Sequence, residues 1–139
     1  MVVTAMQRRL RSRDERGAAA VEFAIILPVL VLIVFGIVQF SIQYNRQQGL
    51  HAAAREGARL ASLPQTTQDE ISDRVTDALD GISFDTSPSV SVSPSATRPC
   101  DQRSGETVVV TIQTTSAVDI PLWGSQTVDL TGRGEFRCE

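Results

Sequence analysis

From Phe23 to Phe40 the chain carries no charged side chain, inside an apolar stretch that opens at Ala18. Nothing else in the sequence constrains the fold as strongly. As a helix, Ala18 to Phe40 would span about 35 Å at roughly 1.5 Å per residue, enough to cross a hydrocarbon core of about 30 Å. A helix resting on a soluble core needs a polar face, and this one has none. Residues 18–40 therefore read as a transmembrane helix.

The flanks give that helix a direction. The leader, residues 1–17, holds Arg8, Arg9, Arg11, Arg13 and Arg16 against Asp14 and Glu15. Beyond the span only Arg46 appears before Arg55. Arginines ahead of a first span favour a cytoplasmic N-terminus, so the chain after the span is expected outside the cytoplasm. An ordinary secretory signal has a shorter apolar run, about 7 to 15 residues, closed by a small-x-small cleavage site. Here the far end reads Val38-Gln39-Phe40-Ser41-Ile42-Gln43-Tyr44, and the small residues Gly17 to Ala20 lie on the near side. A cut, if made, precedes the helix and leaves it in the mature protein.

Glu22 sits in the first turn of this helix. A carboxylate at the bilayer centre costs about 2.5 to 3.5 kcal/mol, and less near the interface. The positive end of the helix dipole lowers the cost further. Cleavage after Gly17 would place an ammonium on Ala18, one turn from Glu22 on the same face. The pair closes within one chain or between neighbours. The residues leave open the plainer alternative, an interfacial glutamate on an uncut anchor.

Gly17 followed by a small residue, Glu22 at the fifth position after it, then Phe23 and an apolar run resemble the class III prepilin signal segment. The wider stretch Arg16 to Pro28, with His51-Ala52-Ala53-Ala54-Arg55-Glu56-Gly57-Ala58-Arg59-Leu60-Ala61 further on, resembles the TadE-like proteins of the tight-adherence (Flp) pilus system. The likeness covers roughly residues 14–63. It implies a pseudopilin, a minor membrane subunit that assists assembly of adhesive pili or a related secretion system. It implies a processing motif in which Gly17 precedes the scissile bond, Ala18 becomes the new N-terminus, and Glu22 and Phe23 occupy the recognised positions. The implied partners are the membrane, a prepilin peptidase acting transiently, other pilin-like subunits and the tight-adherence secretion machinery. The implied location is the cytoplasmic membrane, crossed once.

After the span, residues 41–63 read as a juxtamembrane helix continuing the anchor, free of proline until Pro64 and rich in alanine, glutamine and arginine. Leu50, Ala53, Ala54, Ala58 and Ala61 recur at spacings of three and four and form a narrow apolar stripe. Pro28 and Gly36 mark places where the spanning half kinks or is simply tolerated. Arg55, Glu56 and Arg59 read as a solvated face, with a partner contact as the alternative. His51, the single histidine, reads as ordinary surface.

Residues 64–139 are left for a small extracytoplasmic head, marginal for a core of its own. Thr66 or Thr67 caps a second, short helix, with Asp69 and Glu70 in its first turn, Ile71, Val75, Ala78 and Leu79 as its buried stripe, and Gly81 past its end. Residues 85–105 are rich in Ser, Pro and Thr and read as a loop, with Val90 and Val92 in a short edge strand. Glu106 to Thr115 and Gln126 to Cys138 read as strands. Val108, Val110 and Ile112 share one face of the first; Val128, Leu130, Phe136 and Cys138 share one face of the second. Gly132 and Gly134, on that same face, mark either a bulge or a close approach of the long helix. The region of Pro121 and Gly124 connects the two. The whole is an α+β fold: a long N-terminal helix, a short second helix and a small antiparallel sheet.

Cys100 and Cys138 fit neither a CxxC redox motif nor a zinc site. An antiparallel hairpin brings Cys138 to the segment before Glu106, where Cys100 lies. A disulfide there closes a loop of about 39 residues, worth up to about 4 kcal/mol in the chain-entropy model. Two free buried thiols are the alternative.

The formal charge of −3 argues against a nucleic-acid partner. No metal-ligand spacing or glycine-rich phosphate loop is present, so no catalytic residue, cofactor or small-molecule substrate is expected. The chain reads as a non-enzyme. Behind the assembly subunit stands a second reading, an uncut single-pass envelope protein whose head binds a partner and never enters a filament. A thiol–disulfide enzyme using Cys100 and Cys138 ranks third, because the pair is far apart in sequence.

Overall fold

A computed structural model describes residues 2–121 and 124–139, with side chains from residue 17 onward. The side chains of the leader arginines, Asp14 and Glu15, and the whole of Trp123 in the strand connection, lie outside what it describes. Five elements follow one another: α1 (Val2–Ala61), α2 (Gln68–Ala78), β1 (Ser89–Ser93), β2 (Thr107–Ile120) and β3 (Gly124–Arg137). The chain divides into two compact units, Met1–Val38 and Gln39–Glu139.

The first unit is helix throughout its described length, and α1 continues through both Pro28 and Gly36. Every side chain from Gly17 to Val38 is exposed, including the large apolar ones such as Ile25 and Ile33. Its length and composition suffice to cross a membrane.

The second unit is built on the outer part of α1. Leu50, Ala53, Ala54, Ala58 and Ala61 are fully buried, as their spacing predicts. Pro64, three residues past Ala61, has no backbone N–H with which to continue the helix. Thr67 is the N-cap of α2, and a complete capping box joins it to Glu70. Ile71 and Val75 are fully buried and Leu79 nearly so, whereas Ala78 is exposed at the helix end, against expectation.

The sheet is antiparallel in the order β1-β2-β3, with β1 at the short edge. Val108, Val110 and Ile112 turn one face of β2 onto the helices. The β2–β3 register runs without a break from Thr107 opposite Arg137 to Ile120 opposite Gly124. That decides the question left open at Gly132 and Gly134, since a bulge would interrupt the pairing. The two glycines instead mark where the backbone of α1 comes closest. A Cβ added at Gly132 would stand 2.8 Å from Leu50 Cβ, and one at Gly134 would stand 2.6 Å from the backbone nitrogen of Arg55. Only hydrogen at those positions lets helix and sheet meet. On the same face Leu130 and Cys138 are buried as expected, whereas Val128 and Phe136 are about two-fifths exposed instead of buried.

Both long strands extend beyond their apolar alternation. Thr114 and Ser116 face the core side of β2 and are buried, yet they are polar, so alternation of apolar residues does not reveal them. Their hydroxyls are bonded: Thr114 Oγ1 donates to Thr86 O at 2.8 Å, and Arg46 donates to Ser116 Oγ. Gly124, at φ +83°, takes the left-handed conformation that opens β3 after the turn.

Candidate functional site

Gly17, Ala18, Glu22 and Phe23 all lie on α1 and all are exposed. Ala18 and Glu22 are one turn apart on one helical face. Nothing lies within 4 Å of the position a side chain would take at Gly17. The segment thus offers open space around Gly17 and an unshielded apolar surface, with one carboxylate where that surface begins.

In the second unit the polar contacts gather along the seam between α1 and the sheet. At one end, Gln43 Nε2 donates to Ala117 O at 3.0 Å, and Arg46 reaches both Ser116 Oγ and, at 3.5 Å, Asp85. Asp85 in turn accepts from the backbone N–H of Ala117 at 2.6 Å. Arg46 is largely buried, so a carboxylate beside it answers its charge. Sequence reading missed this clamp: its members are separated by dozens of residues and follow no periodic pattern.

Midway along the seam, Gln47 Nε2 donates to Thr131 O at 2.8 Å, and His51 Nδ1 accepts from Arg133 N at 3.4 Å. His51 is half-buried and also lies 3.0 Å from Gln47. The histidine expected at the open surface is a strut between helix and strand, and with Gln47 it answers backbone groups of β3.

Glu56 pairs with Arg59 at 3.5 Å, as the i,i+3 spacing suggests, but its closer partner is Arg74 of α2 at 2.7 Å. The Arg74 guanidinium, followed by that of Arg59, holds the Glu56 carboxyl below its ordinary pKa. With Glu56 engaged, Arg55 and Arg59 are left exposed on this part of α1. Arg55 borders an open depression together with Arg133, Glu135 and Phe136.

At the other end of the seam Cys100 and Cys138 form a disulfide with Cα atoms 5.4 Å apart. Both residues are buried. Cys138 N donates to Glu106 O at 2.7 Å, and Gly105 N to Cys138 O at 2.9 Å. Glu139 N donates to Ser62 O at 3.1 Å and ties the same point to the end of α1. A disulfide closed off from solvent gives an external thiol no approach, which places this pair with structural bridges and not with exchange catalysts. Among the described residues no three His, Cys, Asp or Glu side chains converge as a metal site requires.

The family model described as TadE-like protein matches residues 17–59. Over that segment the chain is similar to TadE-like proteins. The match takes in Gly17, Glu22 and Phe23 together with the seam side of α1 up to Arg59, and ends before α2 and the sheet. No curated protein and no solved structure matches the chain.

Proposed function

We propose that this chain is a membrane-anchored pseudopilin-like subunit that assists assembly of tight-adherence pili or a related secretion system. The observation that carries the reading is the uncovered apolar helix of the first unit, which begins within the TadE-like match at Gly17. In this proposal residues 1–17 are the cytoplasmic leader, 18–40 the span and 41–63 its extracytoplasmic continuation. Residues 64–139 complete the head outside the cytoplasmic membrane. A prepilin peptidase cuts after Gly17, and other pilin-like subunits pack against the exposed apolar side chains. Glu22 favours the register in which it meets a positive N-terminus, its own or a neighbour's. Arg55 and Arg59 offer the head's contact to the secretion machinery. The work is structural and involves no substrate or cofactor.

A second reading keeps the leader and makes the chain an uncut envelope protein whose head binds a partner. It draws on one observation: α1 is helical straight across Gly17–Ala18, the bond that a peptidase must reach. Peptide mapping of the mature N-terminus separates the two. A terminus at Ala18, lost in a Gly17→Arg variant, is the expected outcome; a mature species that retains residues 1–17 refutes processing.

A further inference from the structure

The seam also fixes where the β2–β3 hairpin ends. Two contacts give its course against the helix. Gly134, opposite Val110, lies on Ala54; Ala117 lies on Gln43. Between these points the helix advances about 16 Å and β2 about 24 Å, so each strand residue gains about 2.3 Å along the helix. Three further residues carry Ile120 about 7 Å beyond Gln43, which is the level of Gln39. Gln39 is indeed half-buried while its neighbour Phe40 is 71% exposed. The covered stripe thus continues from Leu50 through Arg46 and Gln43 to Gln39.

This is also the end at which the apolar run stops. Phe40 and Tyr44, both exposed, stack with ring centroids 6.1 Å apart. Aromatic pairs in such a place favour the boundary between acyl chains and water. Beside them the hairpin carries its own uncovered apolar side chains. Ile120 is 39% and Val128 is 41% exposed, on the face that holds Ser116, while the opposite face carries Asp119 and Asp129.

We infer that the end of the β2–β3 hairpin is seated in the outer interface of the bilayer, with Ile120 and Val128 against lipid beside Phe40 and Tyr44. A lipid surface is the occupant because these side chains lie level with the last residues of the chain's own apolar run. The head then has two attachments to the membrane, the helix and the hairpin, and its tilt is restricted. The inference rests on the membrane span proposed above.

Single-tryptophan variants of the full chain test it in vesicles of phosphatidylcholine brominated near the top of the acyl chains. In a Trp123→Phe background, tryptophan is placed by Phe40→Trp, by Ile120→Trp or, as a control at the far end of β2, by Glu106→Trp. Bromine is expected to remove most of the emission at 40 and at 120 and to leave 106 unchanged. Quenching at 40 with 120 behaving like 106 overturns the hairpin contact and leaves the span intact. Absence of quenching at 40 overturns the span and the inference with it. A blue-shifted, unquenched emission at 120 means protein covers the hairpin and also overturns the inference.

Discussion

Gly134→Ala tests the central claim about how the head is held together. The added methyl would lie 2.6 Å from Arg55 N and closer still to the carbonyl carbon and oxygen of Ala54. Every one of these atoms is helix backbone, so no rotamer change relieves the clash. Helix and sheet must part by about 1 Å, and gaps of that size forfeit a quarter to a half of each contact's dispersion energy. Overpacking typically costs about 1–3 kcal/mol, and the absence of a flexible neighbour puts this site at the upper end. The unfolded chain loses entropy when glycine is replaced, which returns about 0.4–1 kcal/mol. The net expectation is about 2 kcal/mol out of the roughly 5–15 kcal/mol typical of a domain of this size.

Gly57→Ala is the internal comparison. There the new methyl meets Val75 Cγ2 at 2.5 Å, a side-chain tip that can yield in part. Alanine in a helix also gains about 1 kcal/mol over glycine. That exchange should come out near neutral. Proteolysis of the full chain in detergent across a urea series reads the head's unfolding midpoint. Gly134→Ala should lower the midpoint by about 0.7–2 M, given slopes of about 1–3 kcal/mol per M. A Gly134→Ala midpoint equal to or above that of Gly57→Ala would refute the close-approach argument.

Other perturbations bear on the remaining fastenings. Cys100→Ser should reduce head stability by up to about 4 kcal/mol in the same urea series, and an unchanged midpoint would remove the bridge from the list of supports. Thr67→Ala deletes the cap of α2 and should cost about 1 kcal/mol, while Thr67→Ser should cost little. Glu56, with its pKa lowered by Arg74 and Arg59, contributes stability that is present above the ordinary glutamate range and is lost as pH falls through the lowered value. Wild type should therefore weaken with acid more steeply than Glu56→Gln, and parallel acid profiles would show that the ion pair contributes nothing.

Much of this architecture is legible in the sequence because it is written in apolar periodicity and in punctuation. The stripe from Leu50 to Ala61 has helical spacing, Thr67 with Glu70 spells a capping box, and Val108, Val110 and Ile112 alternate. Gly132 and Gly134 show a missing side chain on the core-facing side, which calls for a reason. Cys138 is placed by the hairpin register. What stays hidden is polar. Arg46, Asp85 and Ser116 come from three separate segments, and nothing in their neighbourhoods distinguishes them from surface residues. Arg74 is likewise silent until α2 packs beside α1. His51 looks like surface because its partner is a backbone N–H, which leaves no mark in a sequence. Val128 and Phe136 mislead for the converse reason: their alternation is right, yet both are left partly uncovered while Leu130 and Cys138 on the same face are buried.

The positions of these fastenings bear on processing. Each hydrogen bond found between α1 and the sheet starts at Gln43 or later in the helix, and the buried stripe starts at Leu50. The helix partners Gln43, Arg46, Gln47 and His51 all belong to the second unit. Removing residues 1–17 should therefore leave the head's stability unchanged, and Gly17→Arg, if it blocks the cut, should show the urea midpoint of the mature protein. Side chains from Gly17 to Val38 are all exposed, so cleavage after Gly17, as proposed, would alter only the charge at the start of an uncovered helix. The effect belongs in association: the new ammonium on Ala18 can answer Glu22 of the same or an adjacent chain, and Glu22→Gln should weaken crosslinking between anchors while the head's midpoint stays fixed. A Gly17→Arg chain whose head unfolds about 1 kcal/mol sooner would refute this separation, because it would show that the leader supports the fold of a unit that begins at Gln39.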